Sequence, residues 1–166
     1  VRLICSYCRR ELGEKDPLDD ARITHGMCEP CLASFERQYD TVLLGEYLDR
    51  FQLPVLAVDH QGRVVATNQR MAQAIGRPDR AVSGLLGGEV MECMYASLPE
   101  GCGHTKHCGA CTVRRAVMET MATGQPLHQI PAYVDRAGER VDLLISTRLE
   151  GELVHLTIHE MQVAGH

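Results

Sequence analysis

The sequence predicts an α+β fold: a five-stranded antiparallel sheet with helices on one face, preceded by a small cysteine-bearing module and a connecting helix. Three observations carry this. Apolar residues alternate with polar ones at Val141, Leu143, Ile145, Thr147 and Leu149, the period of a half-buried strand. Apolar residues also recur every three or four positions at Leu32, Phe35, Tyr39, Val42, Leu43 and Tyr47, the period of an amphipathic helix. The eight cysteines fall into two groups of four: Cys5, Cys8, Cys28 and Cys31, then Cys93, Cys102, Cys108 and Cys111.

Residues 1–32 combine the first cysteines with the turn formers Gly13, Asp16-Pro17, Gly26 and Pro30 and carry few large apolar side chains. Chains below about 40 residues need a metal or disulfides to stay folded, because they bury too little surface. Residues 33–51 form the connecting helix. Beyond Phe51 the period shortens, and Val55-Leu56-Ala57-Val58 and Arg63 to Thr67, joined by Asp59-His60-Gln61-Gly62, read as a hairpin. Asn68 caps a helix bearing Met71, Ala72 and Ile75, which Gly76 and Pro78 end. Residues 79–109 are Gly-rich and hold the second cysteines. A helix from about Ala110 to Thr123 follows, closed by Gly124 and Pro126.

Three strands complete the domain. The first spans Leu127 to Val134, and the second follows a turn at Asp135-Arg136-Ala137-Gly138. After Glu150-Gly151 the last strand places Val154, Leu156 and Ile158 on one side and His155, Thr157 and His159 on the other. The sheet domain is bounded at 52–161, with 162–166 as a tail.

Composition narrows the functions. A formal charge of −5 overall disfavours wrapping nucleic acid, and residues 1–50 carry 7 basic against 10 acidic side chains. Five Tyr, two Phe and no Trp leave little from which to build stacking platforms. No apolar run reaches the roughly 18 residues of a membrane span, and Val1-Arg2-Leu3-Ile4-Cys5 lacks a secretory apolar core, so a cytoplasmic location is expected. Haem attachment through C-x-x-C-H is excluded, because Cys8, Cys31 and Cys111 precede Arg9, Leu32 and Thr112. No phosphate loop or nucleophile–base pair is visible, so no catalysis is expected.

Residues 53–161 resemble a PAS domain, on the element order, the Val58-Asp59-x-x-Gly62 turn, Asn68 opening the next helix and the Asp135-x-x-Gly138 turn. The resemblance implies a sensory module that holds a small ligand or cofactor between sheet and helices and signals through flanking helices. The string Glu92-Cys93, Glu100-Gly101-Cys102-Gly103, Cys108-Gly109-Ala110-Cys111 and Arg114 resembles a cysteine-rich subclass of PAS domains from bacterial signalling proteins. Cys5-Ser6-Tyr7-Cys8 and His25-Gly26-Met27-Cys28-Glu29-Pro30-Cys31 are similar to a zinc-ribbon-like extension.

Two C-x2-C pairs separated by 19 residues bring four thiolates onto one tetrahedral ion, and zinc suits a closed four-sulfur site. Disulfides or a reactive dithiol are the alternatives. His25 is placed to replace one sulfur, but with four cysteines available a supporting or surface role is expected. In the second group, Gly101 and Gly103 let the backbone turn Cys102 inward, while Cys108 and Cys111 are expected at the start of the long helix, where free amides favour thiolates. The spacing is not that of a ferredoxin. Zinc, an iron–sulfur cluster and free thiols stay open there, closed zinc standing first. His104 and His107 are expected in solvent rather than as ligands; His155 and His159 share a strand face that could make a site, though alternation on a half-exposed strand explains them equally well. Met71, Met91, Met94, Met118 and Met121 read as core filler or a soft cavity wall.

Together these readings describe a metal-binding sensor module sensing redox, metal or a small ligand. It is expected to form a homodimer through the connecting helix and to act on a downstream signalling partner. An iron–sulfur electron-transfer protein and a zinc-dependent nucleic-acid adaptor are the competing functions.

Overall fold

The computed structural model describes residues 1–16, 21–77 and 82–165, without the side chains of Gln38 and Tyr39. Pro17 of the first expected turn, the Tyr39 side chain of the helical stripe, Pro78, and residues 79–81 of the Gly-rich stretch lie outside the described residues. The chain divides into two units, Val1–Leu43 and Leu44–His166.

In the first unit, β1 (Arg2–Cys5), β2 (Glu11–Glu14) and β3 (Ile23–Gly26) form a sheet in the order β2-β1-β3. β1 runs antiparallel to β2 and parallel to β3. Four-residue strands with one or two apolar side chains have no readable period, which is why none was expected here. Cys5 closes β1, and Cys28 follows β3 by two residues. Helix α1 (Glu29–Leu48) begins four residues before the expected start. Pro30 is tolerated in a first turn because the amide it lacks has no helical partner there, and Glu29 suits the positive helix end. Cys31 therefore stands on the helix, while Leu32, Phe35, Val42 and Leu43 remain exposed.

The second unit contains β4 (Val55–Val58), β5 (Val64–Thr67), α2 (Gln69–Ile75), α3 (Gly87–Val90), α4 (Thr112–Thr123), β6 (Leu127–Arg136), β7 (Glu139–Glu150) and β8 (Leu153–Val163). Its five strands are all antiparallel, in the order β5-β4-β8-β7-β6. Alternate residues of β4 enter different cores. Leu56 and Val58 join Val64, Met71, Val117, Ile145 and Leu156 under the helices, whereas Val55 and Ala57 join Leu48 and Ala66. Leu44, Tyr47 and Phe51 pack against the second cluster, so the opposite face is also covered near β4. Thr120 of α4 and Thr147 of β7 are buried and share a 2.7 Å hydroxyl contact that fixes the helix on the sheet.

The closing strands are longer than their side-chain alternation suggested, because backbone pairing continues where side chains are polar. The expected four-residue turn shrinks to Ala137-Gly138, with Gly138 at φ +86°. Gln162 and Val163, assigned to a tail, pair with Asp142 and Val141.

Asn68 is fully buried and joins four segments. Its Oδ1 accepts from the amides of Val55 at 3.0 Å and Met71 at 2.9 Å, capping α2, while Nδ2 donates to Leu53 O at 2.8 Å and Leu48 O at 3.3 Å. Asn68→Ala strands these groups away from water and is expected to cost about 3 kcal/mol, read as a lower denaturation midpoint of the sheet unit. Asn68→Asp, which keeps the Oδ1 acceptor, is expected to retain part of that loss.

Candidate metal centres

Strand β1, the turn after it and the start of α1 bring the first four cysteines together. Their sulfurs all lie within 4.8 Å of one another, with Cys8 Sγ and Cys28 Sγ at 3.6 Å. A tetrahedral ion with metal–sulfur bonds of about 2.3 Å holds its sulfurs about 3.8 Å apart, so this spacing fits one zinc ion. Cys5 is fully buried, and the amides of Cys28 and Cys8 bring its thiol down to about 6. The neighbouring sulfurs, Cys28 foremost, and burial push Cys31 up to about 12. Adjacent thiolates repel, so full ionisation of the four requires a cation among them. His25 is exposed on β3 and is not among the gathered groups.

The second four cysteines are arranged differently. Cys93, Cys102, Cys108 and Cys111 all border one cavity of about 290 Å³, enclosed by the sheet residues Leu56, Val58, Val134, Leu143 and Leu156 and by Met91, Val117 and Met118. Among the described residues, only the N-terminal four form a group of three or more Cys, His, Asp or Glu whose ligand atoms lie mutually within 4.8 Å. The second set therefore lines a cavity without forming such a group.

Two sulfurs of this set, those of Cys108 and Cys111, have hydrogen-bond partners. Gly103 N–H lies 3.1 Å from Cys108 Sγ, and the Thr105 hydroxyl 3.2 Å from it. Arg114 N–H reaches Cys111 Sγ at 3.5 Å, while the Gly88 amide acts to lower the Cys102 thiol and the amides of Tyr95 and Ala96 act to lower the Cys93 thiol. Burial is the largest influence on Cys93 and Cys102 and pushes both thiols up. Burial also acts upward on Cys108, but the Thr105 and Gly103 hydrogen bonds and the Arg114 charge outweigh it and bring that thiol down.

Cys111 is the N-cap of α4, as its sequence position suggested, but Cys108 is not on that helix. Cys108–Ala110 form a separate 3-10 turn, which moves the start of α4 to Thr112, and loop donors replace the helix amides at Cys108. Gly103 has φ +90°, and a Cβ there would meet the Arg114 guanidinium at 2.5 Å. Gly88 was not singled out from sequence, yet a Cβ on it would lie 2.7 Å from Cys102 Sγ. Thr105 was missed too, since one threonine in a polar loop has no pattern around it.

The histidines divide. His104 is exposed, and His107 stacks on Tyr95 with ring centroids 4.0 Å apart at the cavity edge. His159 Nε2 contacts Ser146 Oγ at 2.7 Å. His155 corrects the expectation of a half-exposed strand: it is 5% exposed, because Tyr47 and Phe51 cover it. Its Nδ1 lies 3.1 Å from Glu150 Oε2 without hydrogen-bond alignment. The methionines are also divided, with Met71 in the core, Met91 and Met118 on the cavity wall, Met121 against the core and Met94 exposed.

No family model matches the sequence, and no curated protein matches it. Solved structures do resemble the chain. The Rhodobacter sphaeroides LOV protein is 15% identical over 79% of this chain and 69% of its own, with a TM-score of 0.50. A domain of a sensory box sensor histidine kinase/response regulator from Geobacter sulfurreducens is 12% identical over 74% and 96%, at 0.49. The photoactive yellow protein domain of the sensor histidine kinase Ppr from Rhodospirillum centenum is 14% identical over 70% and 92%, at 0.48. The likeness is one of fold: the five-stranded unit has the PAS fold that its motifs suggested.

Burial of His155 holds its imidazole below the usual histidine range, against the opposing pull of Glu150. The unfolded chain then binds the extra proton first, so His155 contributes stability above about pH 6.5 that is lost as pH falls through the depressed folded value. The folding free energy is expected to drop by up to about 1.4 kcal/mol per pH unit in that window. In His155→Gln, denaturant titrations between pH 7 and 5 are expected to show a shallower slope by up to one proton. An unchanged slope would contradict burial of a neutral imidazole.

Proposed function

We propose that the chain is a signal-transduction sensor module of bacterial type. In this reading residues 1–32 form a zinc-holding module, 33–51 a connecting helix and 52–161 the sensory domain, whose last strand continues to Val163. The observation that carries it is the convergence of four cysteines on the cavity between the sheet and α4. Thiolates there respond to metal occupancy, to oxidation or to a bound soft ligand. Any such event alters the cavity wall at Val117 and Met118, and α4 is pinned to the sheet at Thr120 and Thr147. The change then passes to β7 and β8, and through Tyr47, which donates to Glu150 Oε1 at 2.8 Å, to the end of α1.

Zinc at Cys5, Cys8, Cys28 and Cys31 serves as a staple for a segment too small to fold by burial. The exposed Leu32, Phe35, Val42 and Leu43 of α1 support pairing with a second copy or with a downstream signalling protein. The module itself catalyses no reaction, and its place is the cytoplasm. No helix among the described residues is long and apolar enough to cross a membrane.

Hydrogen exchange of the full chain, before and after a chelator strips the cavity cysteines, tests the sensing role. Altered protection is expected in α4, in β7 and β8 and at residues 44–48, and Cys102→Ser is expected to lose the response. A change confined to residues 88–111 would contradict transmission.

A further inference from the structure

We infer that Cys93, Cys102, Cys108 and Cys111 hold an iron–sulfur cluster in the cavity of the sheet unit, rather than one zinc ion. The inference deepens the sensor reading and rests on it for the role of the cavity cysteines. The chain contains its own reference for a single-ion site, since the N-terminal sulfurs gather within 4.8 Å, close to the spacing of about 3.8 Å that one tetrahedral ion imposes. The cavity cysteines face one space of about 290 Å³ but no three of them gather in that way. A cluster of two or four irons distributes its four thiolate ligands over different metal atoms, with inorganic sulfide between them. Its ligands therefore stand around a volume, as these do.

Two further features fit an anionic cluster. Cys108 Sγ accepts from the Gly103 amide at 3.1 Å and Cys111 Sγ from the Arg114 amide at 3.5 Å, and such bonds stabilise cluster-bound sulfur. The Arg114 and Lys106 side chains border the cavity and offset negative charge, and its lining is mostly apolar. Close packing at Gly88 admits no Cβ beside Cys102 Sγ, so that sulfur's position is fixed by the absence of a side chain.

The test is metal and sulfide analysis of the full chain, purified anaerobically and reconstituted with ferrous iron and sulfide. The expected result is one zinc per chain together with two or four irons, an equal amount of labile sulfide and a broad visible charge-transfer absorption. Cys102→Ser and Gly88→Ala are expected to lose at least half of the iron and keep the zinc, and Cys28→Ser to lose the zinc and keep the iron. Circular dichroism of each variant shows whether the sheet is folded, and the unmodified chain gives the answer independently of any variant. Two zinc ions per chain with no bound iron, or iron that survives in folded Cys102→Ser and disappears in Cys28→Ser, would overturn the inference. Two zinc ions with a chelator response still reaching α4 would sink the cluster and spare the sensor; a cluster whose removal leaves α4 unmoved would do the reverse.

Discussion

Four thiolates cannot share a small volume without a cation, and this repulsion governs the first module and shapes the cavity of the second. In the N-terminal group the conflict is visible in the sulfurs themselves. Amides draw Cys5 toward ionisation at about 6, while its neighbours hold Cys31 protonated up to about 12. A divalent ion at the centre would resolve the conflict and convert its binding energy into folding energy for a segment whose three short strands bury little. Among the cavity cysteines, Cys108 and Cys111 accept amide hydrogen bonds, and the Arg114 charge lies close to Cys108.

The sheet unit is tied together at several points outside the cysteine segment. Asn68 ties α2, β4 and the chain after α1 together from a buried position, and the Thr120–Thr147 contact sets α4 on β7. Residues 87–111 form short helical turns that carry the sulfurs and also place Val90 and Met91 in the core. Glycine at 88 and 103 leaves room for a sulfur and a guanidinium where any Cβ would collide.

The sheet was largely legible in the sequence, because alternation at Val141 to Leu149 reports burial on one face, and buried faces are what a two-residue period encodes. The Asp59 turn was legible for a local reason: its Oδ1 accepts from the amides of Gln61 and Arg63 at 2.8 and 2.9 Å, and Gly62 adopts φ +79°. Strand ends such as Gln162 and Val163 were not, since pairing there is a backbone matter. Cys108 was misplaced by one turn because a 3-10 segment and a helix start share the same local residues. His155 was hidden for a different cause: the cover that buries it, Tyr47 and Phe51, comes from more than 100 positions away in the chain. The first four cysteines gather as their spacing suggested, and the second four all border one cavity, but spacing does not say whether sulfurs meet at a point.

The most direct measurement is anomalous X-ray diffraction from crystals of the anaerobic full chain, collected at the zinc and iron absorption edges. The account predicts a single zinc-edge peak among Cys5, Cys8, Cys28 and Cys31 and a separate iron-edge peak enclosed by Cys93, Cys102, Cys108 and Cys111. Zinc-edge peaks at both places, or one metal ligated by cysteines of both groups, would contradict it.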